Sequence, residues 1–235
     1  MDLWFGDSWP IGSELGTTTD IFDNSIFPNV LLGRDNPLKA FPHFVSTHRN
    51  TPYINFSRGS SSIEYTLNQL LKFCKNAYNP KIKYTAFLCA TAQNRGFGVS
   101  GELNKELHYC NKRNKTQYDL FIYDSIIALN SFYTICHMYK IECHIVPIFC
   151  NLILPENFSE LILFNDALLT DTSLVEETFK TKFIEDALQY IDDEKLTLDL
   201  DPCSHLDWIT PNKIHPNIIG HRKLAYKLIE LLENH

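Results

Sequence analysis

Apolar positions along this chain follow two rhythms that alternate almost to its end. Asp2-Leu3-Trp4-Phe5 is a short, nearly continuous apolar run, and so are Pro52-Tyr53-Ile54-Asn55-Phe56, Lys83 to Ala90 (KYTAFLCA) and Glu142 to Phe149 (ECHIVPIF). Runs of this length between turn-forming residues read as buried strands. Pro147 is a mild objection to the last, since proline suits strand edges better than centres. Between the strands, apolar residues recur at helical spacing. Ile63, Leu67, Leu70, Leu71 and Cys74 fall on one face of a helix predicted over 61–76. Further helices are predicted over 102–111, 118–139, 157–168 and 174–191. A terminal amphipathic helix is predicted over 216–233, with Pro216 in its first turn. Residues 17–50 are rich in Pro, Asn, Asp and Thr and read as a long irregular excursion, expected to hang over the end of the sheet near Ser8. Asp199 to Asn212 reads as a polar loop.

This alternation argues an α/β fold: a three-layer α/β/α sandwich around a central, mostly parallel sheet of about five strands, in one domain over 1–235. In such folds the functional loops gather at the carboxyl ends of the strands. Three turns that follow predicted strands, at Ser8, Gly59 and Asn94, are therefore candidates to share one site.

Composition narrows the partners. The chain has 235 residues, 44% of them hydrophobic and 21% charged, enough for a sizeable core without staples. A formal net charge of −7 disfavours a nucleic-acid surface, and Lys112-Arg113-Asn114-Lys115 is only a short basic loop. The 7 cysteines include no CxxC pair and several lie in apolar segments, which reads as buried free thiols in a reducing compartment. No signal peptide precedes the first strand and no apolar run is long enough for a membrane span, so a cytoplasmic protein is expected. Abundant Asn, Ile, Lys, Phe and Tyr with sparse Ala fit an AT-rich coding sequence, as in many viruses and phages. For such a source, the host cytoplasm or the virion is the expected location. The histidines show no HExxH or similar spacing, so no metal or organic cofactor is expected.

Candidate chemistry sits at the two ends of the chain. Gly6-Asp7-Ser8 is a tight turn between a strand and the start of a helix, where a serine hydroxyl is held out by fixed backbone. Ser8 would equally suit a helix cap, and Asp7 reads as a turn-former. At the other end His215 stands in a loop just before a helix, within the pattern HPNxxGH. His221 reads as structural or solvated, and Gly220 as a close-packing position on the helix.

With these residues in place the sequence resembles the SGNH hydrolase family, the GDSL-like esterases. Gly6-Asp7-Ser8 resembles the first block of that family, with Ser8 as nucleophile. Asn55-Phe56-Ser57-Arg58-Gly59-Ser60 resembles the second, whose glycine N–H serves an oxyanion hole. Thr91-Ala92-Gln93-Asn94 resembles the third, usually GxND, whose asparagine completes the hole. Asn212-Lys213-Ile214-His215-Pro216-Asn217 resembles the last, usually DxxHPN, with His215 as base. The blocks occur in family order from residue 6 to residue 221. The resemblance implies a flavodoxin-like sheet and a serine esterase acting on a small-molecule or carbohydrate ester, an O-acetyl group among the candidates. Each block also has a plainer use: Gly59 suits a turn and Asn94 a loop cap.

Two departures bear on activity. The family's aspartate, three residues before the histidine, is Asn212 here. An amide can orient an imidazole but cannot stabilise an imidazolium as a carboxylate does, and aspartate-to-asparagine replacement in a serine protease costs about 10⁴ in turnover. His215 then works with Asn212 or a backbone carbonyl as orienter, or Asp207 substitutes as a displaced acid, or the site is weakened and the scaffold serves binding, for example as a virion component. In the third block Arg95 stands where GxND has aspartate, and no glycine lies two before Asn94. Arg95 reads as a surface or structural residue, with contact to an anionic substrate group as its functional alternative.

Overall fold

A computed structural model of the chain describes residues 1–13, 15, 23–30, 35–59, 61–91, 93, 115–148, 151–155, 161–179 and 215–235. Four strands, β1 (Asp2–Phe5), β2 (Tyr53–Asn55), β3 (Thr85–Ala90) and β4 (Glu142–Pro147), form one sheet in the order β2-β1-β3-β4. All three pairings are parallel, with Leu3 level with Ile54 and Ala86, and Phe87 level with His144. The expected mostly parallel α/β fold is therefore present, with four strands among the described residues rather than about five. A single parallel bridge, Ile145 to Leu168, with Leu169 N–H donating to the Ile145 carbonyl at 3.0 Å, marks a further position beyond β4. Pro147 is the last residue of β4, where its missing N–H disturbs the ladder least.

Strand residues alternate between two cores, because successive side chains leave a sheet on opposite faces. Leu3, Phe5, Ala86, Leu88 and Ile145 pack against α3 (Ile63–Asn76) and α4 (Lys115–Met138). Ile122, Ile126, Leu129, Phe132 and Cys136 form the buried stripe of α4 at helical spacing. On the other face, Trp4, Phe87, Cys89 and Val146 pack against α2 (Phe41–His48), α5 (Leu174–Phe179) and α6 (Ile218–Asn234). Trp4 stacks on Phe87 with ring centroids 4.2 Å apart and meets Phe41 edge-on at 6.0 Å. Both faces of the sheet are covered, which is the three-layer arrangement.

Three elements differ from expectation. The 17–50 segment is not irregular throughout: it contains a 3₁₀ turn at Pro37–Lys39 and the helix α2. Two of its prolines, Pro37 and Pro42, stand in the first turns of these helices, where a missing N–H costs nothing. The helix expected over 157–168 is absent from 161–168, which holds only a 3₁₀ turn at Asn165–Ala167. Leu161 and Leu163 are exposed while Ile162 and Phe164 are buried, so the period there is two, not 3.6. Pro216 lies outside the terminal helix, which begins at Ile218 behind the cap Asn217. The helix expected over 102–111, the polar loop over 199–212 and the second half of the 174–191 helix lie outside the described residues.

Candidate active site

β1 delivers Ser8 within a turn fixed at both ends. Gly6 passes so close to its neighbours that a Cβ there would lie 2.7 Å from Pro10 Cγ and 2.9 Å from Cys89 Cβ. Asp7 is buried and caps the short helix α1 (Ser8–Ile11): its Oδ1 accepts from Trp9 N–H at 3.1 Å. Its Oδ2 accepts from the Thr91 hydroxyl at 3.2 Å, which ties the end of β3 to the Ser8 turn. Asp7 is thus the turn-former that the sequence suggested. Gly12 ends α1 with φ 74°, the left-handed conformation that glycine adopts without strain. Ser13 N–H then donates to the Ser8 carbonyl at 3.0 Å.

The loop after β2 closes on this turn. Gly6 carbonyl accepts from Arg58 N–H at 3.1 Å and from the Ser61 hydroxyl at 2.7 Å. Asn55, fully buried, donates from Nδ2 to the Pro10 carbonyl at 2.8 Å and accepts at Oδ1 from Ser57 N–H at 3.0 Å. These bonds seat Gly59 beside Ser8: a Cβ built on Gly59 would be 4.0 Å from Ser8 Cβ and 3.7 Å from Ser13 Oγ. Ser13 Oγ donates to Asp35 Oδ1 at 2.8 Å, and Asn36 N–H to the Gly12 carbonyl at 2.9 Å. The base of the 17–50 excursion is therefore stapled beside Ser8. Its residues 23–30 meet the sheet as well, at the close of β2. They reach the outer edge of β2, where the Ile26 carbonyl accepts from Asn55 N–H at 2.8 Å and Asn29 Nδ2 donates to the Phe56 carbonyl at 2.7 Å.

His215 is buried and lies on the same edge of the sheet as Ser8. α2 ends beside the start of β2, so its first residue, Phe41, lies at the carboxyl edge. His221, in the first turns of α6, accepts at Nδ1 from Phe41 N–H at 3.2 Å and stacks on the Phe41 ring at 5.9 Å. At the far end, Glu233 pairs with His48 at 3.6 Å, and the ring of His235 lies 6.0 Å from that of His144 near the strand starts. α6 therefore runs from the carboxyl edge to the amino edge, with His215 just ahead of its first turn. Burial and, secondarily, the neighbouring His215 push the His221 imidazole down to about 3. His221 is thus a buried, neutral packing residue.

The turn that holds Ser8 and the loop that holds Gly59 are brought side by side, and His215 shares their edge. Asn94, Asn212 and Asp207 lie outside the described residues. Next to Asn94, Gln93 is buried and donates from Nε2 to the Ser125 hydroxyl at 3.0 Å and to the Ile153 carbonyl at 3.2 Å. The sequence reading had no role for Asn55, Ser61, Gln93 or the Ser13–Asp35 pair. An asparagine closing a strand before a serine-rich turn was the one signal that pointed to Asn55. The described cysteines Cys74, Cys89, Cys136 and Cys143 are free thiols. Among the described residues no helix is long and apolar enough to cross a membrane.

No family model matches this chain, and no curated protein matches it in sequence. Among solved structures it is similar to a member of the lipolytic protein G-D-S-L family from Veillonella parvula, at 13% identity and TM-score 0.45, over 100% of this chain and 98% of that one. It is similar to a psychrotrophic esterase from Pseudoalteromonas, at 8% identity and TM-score 0.44, over 99% and 97% of the two chains. An acetylxylan esterase from Geobacillus stearothermophilus is a third, at 11% identity and TM-score 0.43, over 98% and 93%. The α/β assignment for this chain stands on its own strand order, register and two covered faces.

Proposed function

We propose that this protein is a serine ester hydrolase whose nucleophile is Ser8. The observation that carries the reading is the close approach of the turn after β1, which holds Ser8, to the loop after β2, which holds Gly59: a Cβ built on Gly59 would lie 4.0 Å from Ser8 Cβ. A serine hydroxyl is a poor nucleophile at neutral pH and needs a base. In this reading His215 takes the Ser8 proton as Oγ attacks the ester carbonyl carbon. The N–H groups of Ser8 and Gly59 and the amide of Asn94 receive the negative charge of the tetrahedral intermediate. His215 then returns the proton to the leaving alcohol, and water releases the acid from the acyl-serine by the same steps. Losing one oxyanion donor costs about 2.7–4 kcal/mol of transition-state stabilisation in comparable sites. Asn212 or a backbone carbonyl orients the imidazole, or Asp207 supplies the carboxylate. O-acetylated carbohydrates are the natural ester to try beside simple acetates.

A second reading has one specific observation behind it: Asn212 occupies the usual acid position, which fits an inactive scaffold kept for binding, such as a virion-associated protein. Two measurements separate the readings. A fluorophosphonate probe labels wild-type protein and not Ser8→Ala if Ser8 is activated, and p-nitrophenyl acetate turnover is lost in the same variant. Asn212→Asp raises turnover if the site runs as an impaired triad, and Asp207→Ala lowers it if the acid is displaced. Absence of any Ser8-dependent labelling or turnover rejects the enzyme reading.

A further inference from the structure

We infer that Asn55 is a positioning residue that sets the distance between the Ser8 hydroxyl and the Gly59 N–H, an inference that rests on the esterase reading of that site. One planar amide spans the two loops. Its Nδ2 donates to the carbonyl of Pro10, two residues after Ser8, at 2.8 Å. Its Oδ1 accepts from the N–H of Ser57, two residues before Gly59, at 3.0 Å. The side chain is fully buried at the last position of β2, level with Trp4 of β1, so the amide is held by the sheet itself. The Asn55 N–H is bound as well, to the Ile26 carbonyl at 2.8 Å.

The chemistry of the position demands an amide. The last carbonyls of a helix lack intrahelical partners, and in α1, Ser8–Ile11, that of Pro10 is one of them. A buried carbonyl needs a donor, and a buried N–H at Ser57 needs an acceptor. Asparagine offers both from one rigid group of the right length, whereas aspartate as a carboxylate offers acceptors only. A carboxylate would hold the Ser57 side and repel the Pro10 carbonyl, moving α1 and Ser8 away from Gly59. The second clamp on this loop, from Arg58 N–H and the Ser61 hydroxyl to the Gly6 carbonyl, fixes its far side but does not reach α1. Asn55 therefore ties the far side of the Ser8 turn, α1, to the loop that carries Gly59, as the Gly6 clamp ties its near side.

The test is steady-state hydrolysis of p-nitrophenyl acetate by wild type, Asn55→Asp and Asn55→Ala, well below every melting temperature. Leu70→Ala on α3 and Ser62→Ala at its cap serve as controls for lost stability. The Asn55 variants are expected to lose about 10- to 100-fold in kcat, with KM within about twofold, because a displacement near 1 Å costs that much in positioned catalysis. A protonated carboxyl has the donor and acceptor pattern of the amide. The kcat ratio of Asn55→Asp to wild type should therefore rise as pH falls, while that of Asn55→Ala stays flat. A merely structural role moves neither kcat below melting nor this ratio. If Asn55→Ala does not fold, Asn55→Asp, its near-isostere, carries the test alone. Loss no greater than in a control of equal melting temperature, or loss in KM only, overturns the inference and leaves the esterase reading standing. A wild type without Ser8-dependent turnover or fluorophosphonate labelling overturns both.

Discussion

Two glycines beside Ser8 are under opposite constraints, and substitution separates them. At Gly12 the backbone is left-handed, φ 74°, and a Cβ would lie 2.5 Å from the Asn36 carbonyl oxygen. An L-residue there meets both the conformational penalty, roughly 1–2 kcal/mol, and a clash with backbone that cannot swing away. Gly12→Ala is expected to lower stability by about 2 kcal/mol or more, read by urea denaturation. At Gly59 the built Cβ meets only ordinary contacts, 3.7 Å to Ser13 Oγ and 4.0 Å to Ser8 Cβ. Gly59→Ala is therefore expected to change stability by less than about 1 kcal/mol. Its cost, under the proposed mechanism, falls on turnover, because the new methyl faces Ser8 and crowds the acyl group there. A Gly59→Ala protein as unstable as Gly12→Ala would contradict this account of the loop.

Among the elements, α6 links stability to the candidate base. Its cap is Asn217, whose Oδ1 accepts from Gly220 N–H at 2.9 Å, and His215 stands two residues ahead of that cap. Asn217→Ala should cost about 1 kcal/mol and fray the first turn, while Asn217→Asp keeps the acceptor. The control is Ser62→Ala at the start of α3, where Ser62 Oγ accepts from Tyr65 N–H at 3.3 Å. It should cost about as much stability. Turnover by Asn217→Ala is expected to fall further than by Ser62→Ala. Equal losses would separate the cap from the site. The start of α6 also marks how far sequence could be read. Strands with continuous apolar runs, α3 with its apolar stripe and the long α4 were legible because local period reports burial. α2 was hidden by the proline in its first turn, Pro42, and 161–168 by the unbroken apolar run Leu161-Ile162-Leu163-Phe164, which also fits a helix. Ser8, Gly59 and His215 stand in short local patterns. Asn55 opens one of those patterns, but its role is not local: it bonds a carbonyl 45 residues away, and such a bridge has no local period.

Across the whole molecule, the buried His221 and the half-buried His144 tie the fold to pH from opposite edges of the sheet, and burial lowers His43 in the same sense. His221 lies at the carboxyl edge, where burial and then His215 push its imidazole down to about 3. His144 lies at the amino edge, stacked on Phe87 at 5.3 Å, and its imidazole is held below the ordinary value chiefly by burial, with Glu142 pulling the other way and His235 and Arg49 reinforcing the shift. Both are neutral in the fold, while in the unfolded chain a histidine takes up a proton near 6.5. Below about 6.5 the unfolded state binds more protons, so stability is complete above that pH and is lost as pH falls. For His221 the loss is about 1 kcal/mol, or slightly more, per pH unit, and His144 adds to it in the same sense until its own folded value is reached. For His221 that window extends down to about 3. Two buried carboxyls act in the opposite sense at lower pH. Burial raises Asp2 against the pull of Arg49 and Ser46, and raises Glu64 against that of Ser62. Their protonation favours the fold between those raised values and the ordinary carboxyl range, and blunts the acid limb there. The urea midpoint is therefore expected to fall steadily from pH 7 to pH 5. His221→Asn, which keeps an acceptor for the Phe41 N–H, should flatten the slope, and combining it with His144→Gln should flatten it further. An acid limb of unchanged slope in the double variant would assign it to other groups.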